Sequence, residues 1–306
     1  MFRYVARRLL WMIPVMLFIS VITFSLAHAV PGGPFDREKP VPPEIIANLN
    51  KYYSLDLPVW KQYLKYMGDV LLHFDFGPTY RSRSLRVNDI FRDHLPVSAQ
   101  LGVVSMLIAI GLGVPLGMLA ALKQNTFWDY LGMAVAIFGV SVPSIVLGPL
   151  LILIFALRLG WLPVAGWGTP AQVIMPALAL GLGSSAIIAR LTRASMLQVI
   201  REDYIRTARA KGLSERLVMV RHALKNAFIP VATILGPMFA AVVTGTFVVE
   251  QIFAIPGLGK YFITSITNRD YPVVMGTILL YAVILVFANL AVDITYAFLD
   301  PRIRYT

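Results

Sequence analysis

The 306-residue chain contains no cysteine. Disulfides, thiolate-held metals and thiol nucleophiles are thereby excluded. Histidine occurs 4 times, and charged residues make up only 14% of the chain, against about 25% in an ordinary soluble domain. No H-E-x-x-H or comparable ligand spacing appears, so neither a resident metal nor any other cofactor is expected. Acidic residues are scarce as well: 16 Asp+Glu stand against 27 Lys+Arg, a net charge of +11. An excess spread along a face would point to nucleic acid, but here it concentrates in one stretch, 190–225, and no nucleic-acid partner is expected. What is abundant is apolar sequence. Hydrophobic residues reach 58%, and runs of about 20 of them recur, each long enough to cross a hydrocarbon core of about 30 Å.

Apolar runs bounded by charge or by Gly/Pro punctuation give six spans: 9–30, 97–121, 130–157, 173–189, 227–249 and 273–298. The first is too long for the apolar core of a secretory signal, about 7–15 residues, so it reads as an uncleaved anchor. An even number of spans puts both termini on one side. The N-terminal tail, the 122–129 loop, the 190–225 loop and the C-terminal tail hold 3, 1, 9 and 2 basic residues, whereas loops 158–172 and 250–272 hold 1 and 2. The positive-inside rule then makes the first group, and both termini, cytoplasmic. Pro14, Pro115, Pro143 and Pro149 fall inside spans, where a bundle in lipid tolerates them as kinks, either for packing or around a path that opens and shuts. Gly113 and Gly117 form a small-xxx-small face for close packing of a neighbouring helix.

These features divide the chain into 1–30 (tail and first span), 31–95 (an external amphipathic segment) and 96–306 (a core with five spans and the 190–225 loop). The external segment has nine basic and eight acidic residues. Pro42, Pro43 and Glu44 mark one helix start, with Ile45, Ile46 and Leu49 as its apolar stripe. Pro58 opens a second amphipathic helix in which Trp60, Tyr63, Leu64, Met67 and Leu71 recur at helical spacing, suited to a membrane interface or to an external partner.

Catalytic sets fail one after another. Gly183-Ser184-Ser185-Ala186 lacks the last glycine of G-x-S-G, and no suitable histidine accompanies it, which leaves helix packing as the role of both serines. Pro256-Gly257-Leu258-Gly259-Lys260 is no phosphate loop, since Ala254 and Tyr261 stand where that motif needs glycine and a hydroxyl. Asp293 is the one acidic residue inside an expected span. It sits near a helix end, where pairing with a cytoplasmic arginine accounts for it better than an ion relay. An enzyme is not expected.

The 190–225 stretch carries nine basic and three acidic residues. Its middle, 203–212, reads as a short helix, with Asp203 placed to N-cap it, small residues at 207, 208 and 210, and Gly212 at the left-handed C-terminal position. A slim helix projecting from a bundle suits docking into a groove of another protein. Here the sequence resembles the binding-protein-dependent ABC transporter permeases, whose cytoplasmic loop has a Glu-Ala-Ala, three residues, Gly core. Arg206-Thr207-Ala208, three residues and Gly212 match that spacing, although Arg206 and Thr207 replace Glu and Ala, so that an acidic partner residue is favoured.

The resemblance runs the length of the chain and is strongest to the peptide branch, in particular the first inner-membrane subunit of oligopeptide permeases. It rests on Pro31-Gly32-Gly33-Pro34, Phe76-Gly77, the 122–130 stretch, Glu250-Gln251-Ile252-Phe253, Pro256-Gly257-Leu258-Gly259, Asn268-Arg269-Asp270-Tyr271 and the tail Asp300-Pro301-Arg302-Ile303-Arg304-Tyr305. It implies an all-α membrane protein with the ABC type I importer permease fold, six spans and a cytoplasmic coupling helix, in a bacterial inner membrane. It implies as partners a second, homologous permease subunit, two ATP-binding subunits, an external peptide-binding protein, a peptide cargo and membrane lipid. Dipeptides, nickel chelates or another small solute remain open as cargo, and an ion-coupled carrier is a further reading. Arg206, Thr207, Ala208, Arg209, Ala210, Lys211 and Gly212 are the expected ATPase-coupling residues. Glu250, Pro256, Gly257, Gly259, Arg269 and Asp270, in a turn-rich loop with a short helix over 258–268, are candidate contacts for the binding protein. Ser141, Ser144, Thr244 and Thr246 are candidate pathway-lining positions.

Overall fold

The computed structural model describes residues 2–35, 42–82 and 84–299; the tail motif from Asp300 onward lies outside them. Helices dominate. α1 (Phe2–Ala29) leads to α2 (Pro43–Tyr52) and α3 (Val59–His73), followed by the long α4 (Val87–Leu122). α5 (Phe127–Ser141) and α6 (Ser144–Leu151), the latter extended by a π-helical turn Ile152–Arg158, precede α7 (Pro170–Val199) and the short α8 (Asp203–Ala210). α9 (Glu215–Leu217), a π-helical stretch Val218–Leu224 and α10 (Lys225–Val243) run on as one helix, and α11 (Phe247–Ile252), α12 (Gly259–Asn268) and α13 (Tyr271–Leu299) complete the chain.

Among the described residues, five uninterrupted helices are long and apolar enough to cross a membrane: Tyr4–Ala29, Val87–Leu122, Pro170–Val199, Glu215–Val243 and Tyr271–Tyr296. The sixth expected span, 130–157, is not a straight rod. α5 and α6 meet at a bend of 103°. Pro143 has no amide hydrogen and forces the preceding residue out of the helical region, and Val142 accordingly sits extended at φ −94°, ψ 109°.

The apolar runs marked hydrocarbon depth, not helix length. α4 begins ten residues before the expected 97, α7 continues beyond 189 to Val199, and the helix ending in α10 starts at Glu215 and stops at Val243 rather than 249. Polar residues such as Asp89, Arg92 and Arg193 are compatible with helix and simply project past the apolar slab.

α4 and α7 form the centre of the bundle through the small residues the sequence advertised. A Cβ on Gly113 would lie 2.6 Å from the Ser185 carbonyl oxygen, one on Gly117 2.4 Å from that of Ala189, and one on Gly181 2.8 Å from that of Ser105. Backbones this close exclude any larger side chain. Ser185 Oγ donates to the Leu182 carbonyl at 2.7 Å, which gives it the packing role expected for it. Arg8 on α1 pairs with Asp293 on α13 at 2.7 Å, the arginine partner anticipated for that carboxylate.

Candidate functional site

The expected coupling segment stands at one end of the bundle, between α7 and α9. Ile205 and Ala208 are buried against Ala121, Met196, Val218, Met219, Ala223 and Ala227. Three or four residues apart, they share the inner face of α8. Arg206, Thr207, Arg209, Ala210 and Lys211 face out. Ala208, one of the expected docking residues, is thus a mounting residue. The expected cap differs too: Asp203 is the first helical residue, Glu202 holds the cap position, and no side chain caps the helix. Gly212 follows in the left-handed region at φ +74°, with open space where a side chain would stand. It turns the chain for an ion pair in which Arg209 Nε and Nη2 donate to Glu215 at 3.1 and 2.7 Å. Asn226 Nδ2 donates to the Tyr204 hydroxyl at 2.7 Å, tying α8 to the following helix.

A second fixture at this end joins α5 to α7. Arg193 Nε and Nη2 donate to the two carboxylate oxygens of Asp129 at 2.6 and 2.7 Å, and the Asn125 N–H donates to Asp129 Oδ2 at 3.0 Å. Asp129 is 2% exposed. It also lies in the first turn of α5, where a negative charge suits the helix dipole. Arg193, legible from sequence only as one of many basic residues, has a dedicated partner.

At the opposite end, the acidic residues expected to meet an external protein are buried. Glu250 and Asp270 are 2% and 3% exposed. Ser98 Oγ on α4 donates to Glu250 Oε1 at 2.7 Å, the Leu258 N–H donates to Ser98 Oγ at 2.8 Å, and the Gly259 N–H donates to Glu250 Oε2 at 2.8 Å. The first amides of α12 thus find their acceptors in Glu250 and in Ser98, 160 residues away from Leu258, a capping arrangement supplied from a distance. The enclosure is tight: a Cβ on Gly257 would lie 2.3 Å from Glu250 Cδ, and one on Gly259 2.8 Å from Oε2. Burial pushes the Glu250 carboxyl above the usual carboxylate range, while Ser98 and the backbone of Gly259 and Thr246 pull the other way. Asp270 accepts from the Tyr80 N–H at 3.2 Å and from the Val273 backbone in the first turn of α13, and burial pushes its carboxyl up as well. Of the six residues expected to contact a binding protein, Pro256 remains exposed and Arg269 half-buried, while Glu250, Gly257, Gly259 and Asp270 are buried.

The four candidate lining positions divide. Ser141 Oγ donates to the Ile137 carbonyl and Thr244 Oγ1 to that of Ala240, at 2.8 and 2.9 Å. Ser144 follows the α5–α6 bend, and the Thr246 hydroxyl is buried without a hydrogen-bond partner. Thr244 lines a cavity of about 290 Å³ with Phe262, Thr277 and Tyr281. A larger, apolar groove of about 710 Å³ runs between α4, α10 and α13, lined by Met106, Leu107, Phe239, Ile284 and Phe287 among others. Sequence reasoning missed it because it searched spans for polar residues. Among the described residues, no group of three or more His, Cys, Asp or Glu is placed to hold a metal ion.

Comparison with known proteins fits this architecture. Residues 113–305 match the family model of the binding-protein-dependent transport system inner membrane component, and residues 1–101 match that of the N-terminal part of such membrane components. The dipeptide transport system permease protein DppB of Bacillus subtilis (strain 168) is 47% identical over 99% of this chain and 98% of its own length. The oligopeptide transport system permease protein OppB of Escherichia coli (strain K12) is 44% identical over 100% of both chains. Identity therefore does not separate the dipeptide from the oligopeptide branch. An inward-facing structure of the MetNI methionine ABC transporter shares the fold, with a TM-score of 0.55 and 20% identity over 69% of this chain and 96% of the other. The chain belongs to the binding-protein-dependent transport system inner membrane component family, as an all-helical permease subunit of the ABC importer type.

Proposed function

We propose that this chain is one permease subunit of an ATP-driven peptide importer, paired with a second, homologous subunit, and that it carries no catalytic site of its own. The observation that carries the reading is α8: a short helix fixed to the bundle through Ile205, Ala208, Tyr204 and Arg209 that presents Arg206, Thr207, Ala210 and Lys211 outward. A rigidly mounted handle transmits displacement, whereas a mobile loop would absorb it. Two ATP-binding subunits would grip the exposed face through acidic groups, and closing them on ATP would rock the spans between inward- and outward-open states. The basic excess around α8 supports placing this end, with both termini, in the cytoplasm. The loop bearing Pro256 and Arg269 then faces an external peptide-binding protein. The same polarity supports the division into an anchor (1–30), an external segment (31–95) and a core (96–306).

The high likeness to both oligopeptide and dipeptide permeases supports peptides as cargo. Oligopeptides are the preferred reading, with the apolar groove between α4, α10 and α13 facing the second subunit. Uptake of labelled tri- to pentapeptides in cells with and without the gene tests this. Loss of vanadate-sensitive uptake on deletion is expected. Unchanged oligopeptide uptake, in a strain with no redundant system, would move the cargo to dipeptides or another small solute. An ion-coupled carrier lacks support, since Asp293 is engaged by Arg8.

A further inference from the structure

α3 (Val59–His73) is amphipathic in an unusual way: its side chains fall into three sectors. With about 100° between successive residues, Met67 and Val70 lie on a buried side, where Tyr63 and Tyr66 pack against Phe24 of α1 and Met275 and Leu279 of α13. Gln62, Lys61 and Lys65 occupy a polar side. Gln62 donates to the carbonyls of Leu55 and Leu57 at 3.1 and 2.8 Å, and Lys65 donates to Ser54 Oγ at 2.7 Å. The third sector, an arc of about 40°, holds Trp60, Leu64 and Leu71, which are 61%, 59% and 66% exposed. A soluble helix would leave such a stripe exposed to water, which disfavours it in proportion to the apolar area.

Depth decides what covers it. Phe24 lies about five residues, or about 8 Å, before the end of α1, and Met275 about 6 Å into α13, at 1.5 Å per residue. Both helices are long and apolar enough to cross a membrane. Tyr63 reaches further along α1, where its hydroxyl shares a hydrogen bond with Ser20 Oγ at 2.8 Å, while Gln62 meets His28 at 3.2 Å, near the end of the span. α3 is therefore strapped across about the last 14 Å of α1, a stretch that takes in the depth at which in-plane amphipathic helices insert, about 5–10 Å into the headgroup and acyl boundary. The exposed side of α1, with Ile22 and Leu26, is apolar at the same level. The Lys61 ammonium stands 5.3 Å from the Trp60 ring centroid, a lysine placed to reach headgroups from the edge of an interfacial tryptophan.

We propose that α3 is an in-plane membrane helix whose Trp60–Leu64–Leu71 stripe enters the lipid leaflet at the C-terminal end of α1, making the external segment a lipid-bound collar. Leu72 lies on the lysine side, and Phe74 is the left-handed residue that ends the helix. Neither belongs to the stripe.

The absence of cysteine makes the test direct. Single cysteines at Trp60, Leu64 and Leu71, and at Lys61 and Lys65, are spin-labelled in the assembled transporter, in nanodiscs of phosphatidylcholine and phosphatidylglycerol. Each variant is checked for retained peptide-stimulated ATP hydrolysis. The first three labels are expected to collide with oxygen several-fold more than with a water-soluble nickel chelate, and the last two to show the reverse order. Free access of the chelate to all five would place the stripe in water and overturn the proposal. Shielding of the first three from both reagents would mean that a protein covers it, a second permease or the external binding protein, and would overturn it equally.

Discussion

Glu250 shows how far a charged residue's role depends on what the fold brings to it. In the sequence it stands in a turn-rich loop, where charge reads as exposure. In the structure Ser98, 152 residues away, donates to it, and Gly245, Gly257 and Gly259 close around it. The local signal was present in those glycines, which leave room for a carboxylate, but the partner on α4 was not. Truncation orphans buried donors at about 1–3 kcal/mol each, so Glu250→Ala is expected to lower the melting temperature of the purified protein clearly. Gly257→Ala is expected to do about the same, because its Cβ would displace the carboxylate. A Glu250→Ala variant as stable as the parent would refute the capping role. The pH dependence follows from burial. A carboxyl whose folded value is raised contributes stability that is present at low pH and lost as pH rises through that value. The stability of the parent relative to Glu250→Gln is therefore expected to improve from neutral pH toward mildly acid pH, levelling off below the ordinary carboxylate range. Asp270 is raised in the same direction and is common to both proteins, so the comparison cancels it.

At the scale of the element, α8 was the most legible piece of the chain. Small residues, an acidic start and a glycine stop outlined a helix over 203–212, and the structure places it at Asp203–Ala210 with Gly212 left-handed. Its inner face was not legible, because Ile205 and Ala208 are recognisable as mounting residues only once Met196 and Met219 lie beneath them. Since a Cβ at Gly212 meets nothing, a substitution there acts through backbone strain, about 1–2 kcal/mol for a left-handed residue. Gly212→Val is expected to leave the protein in the membrane at normal abundance while uptake falls at least tenfold; normal uptake would remove α8 from the coupling path. The Asp129–Arg193 pair belongs to the same end. Breaking a buried pair costs about 3–5 kcal/mol, and with Arg193 27% exposed about 2–3 kcal/mol is the expected loss for Asp129→Ala. Thermal unfolding of the detergent-solubilised protein would register this as a fall of several degrees.

Across the whole molecule, six apolar stretches were readable as apolar runs, and Gly113 and Gly117 marked a face for close packing, but that α7 is the helix packed there was not legible. The 103° bend between α5 and α6 was not, although Pro143 marked its position, because a proline states where a helix breaks and not how far the halves diverge. Nor was the apolar groove between α4, α10 and α13, which exists only once three separate spans converge. These elements assemble into one device. In the proposed reading α8 would receive displacement at one end, the glycine-packed α4–α7 pair would carry it through the membrane, and capped helices at the other end would hold the loops there in place. The central claim is that the α8 end faces the ATP-binding subunits inside the cell. The most direct test places a single cysteine at Ala210, on the exposed face of α8, and another at Pro256, in a chain that has none of its own. Ala210→Cys is predicted to cross-link to an ATP-binding subunit and to resist a membrane-impermeant thiol reagent added outside, while Pro256→Cys reacts with that reagent. Labelling of Ala210→Cys from outside, with no cross-link to an ATP-binding subunit, would contradict both the orientation and the coupling role.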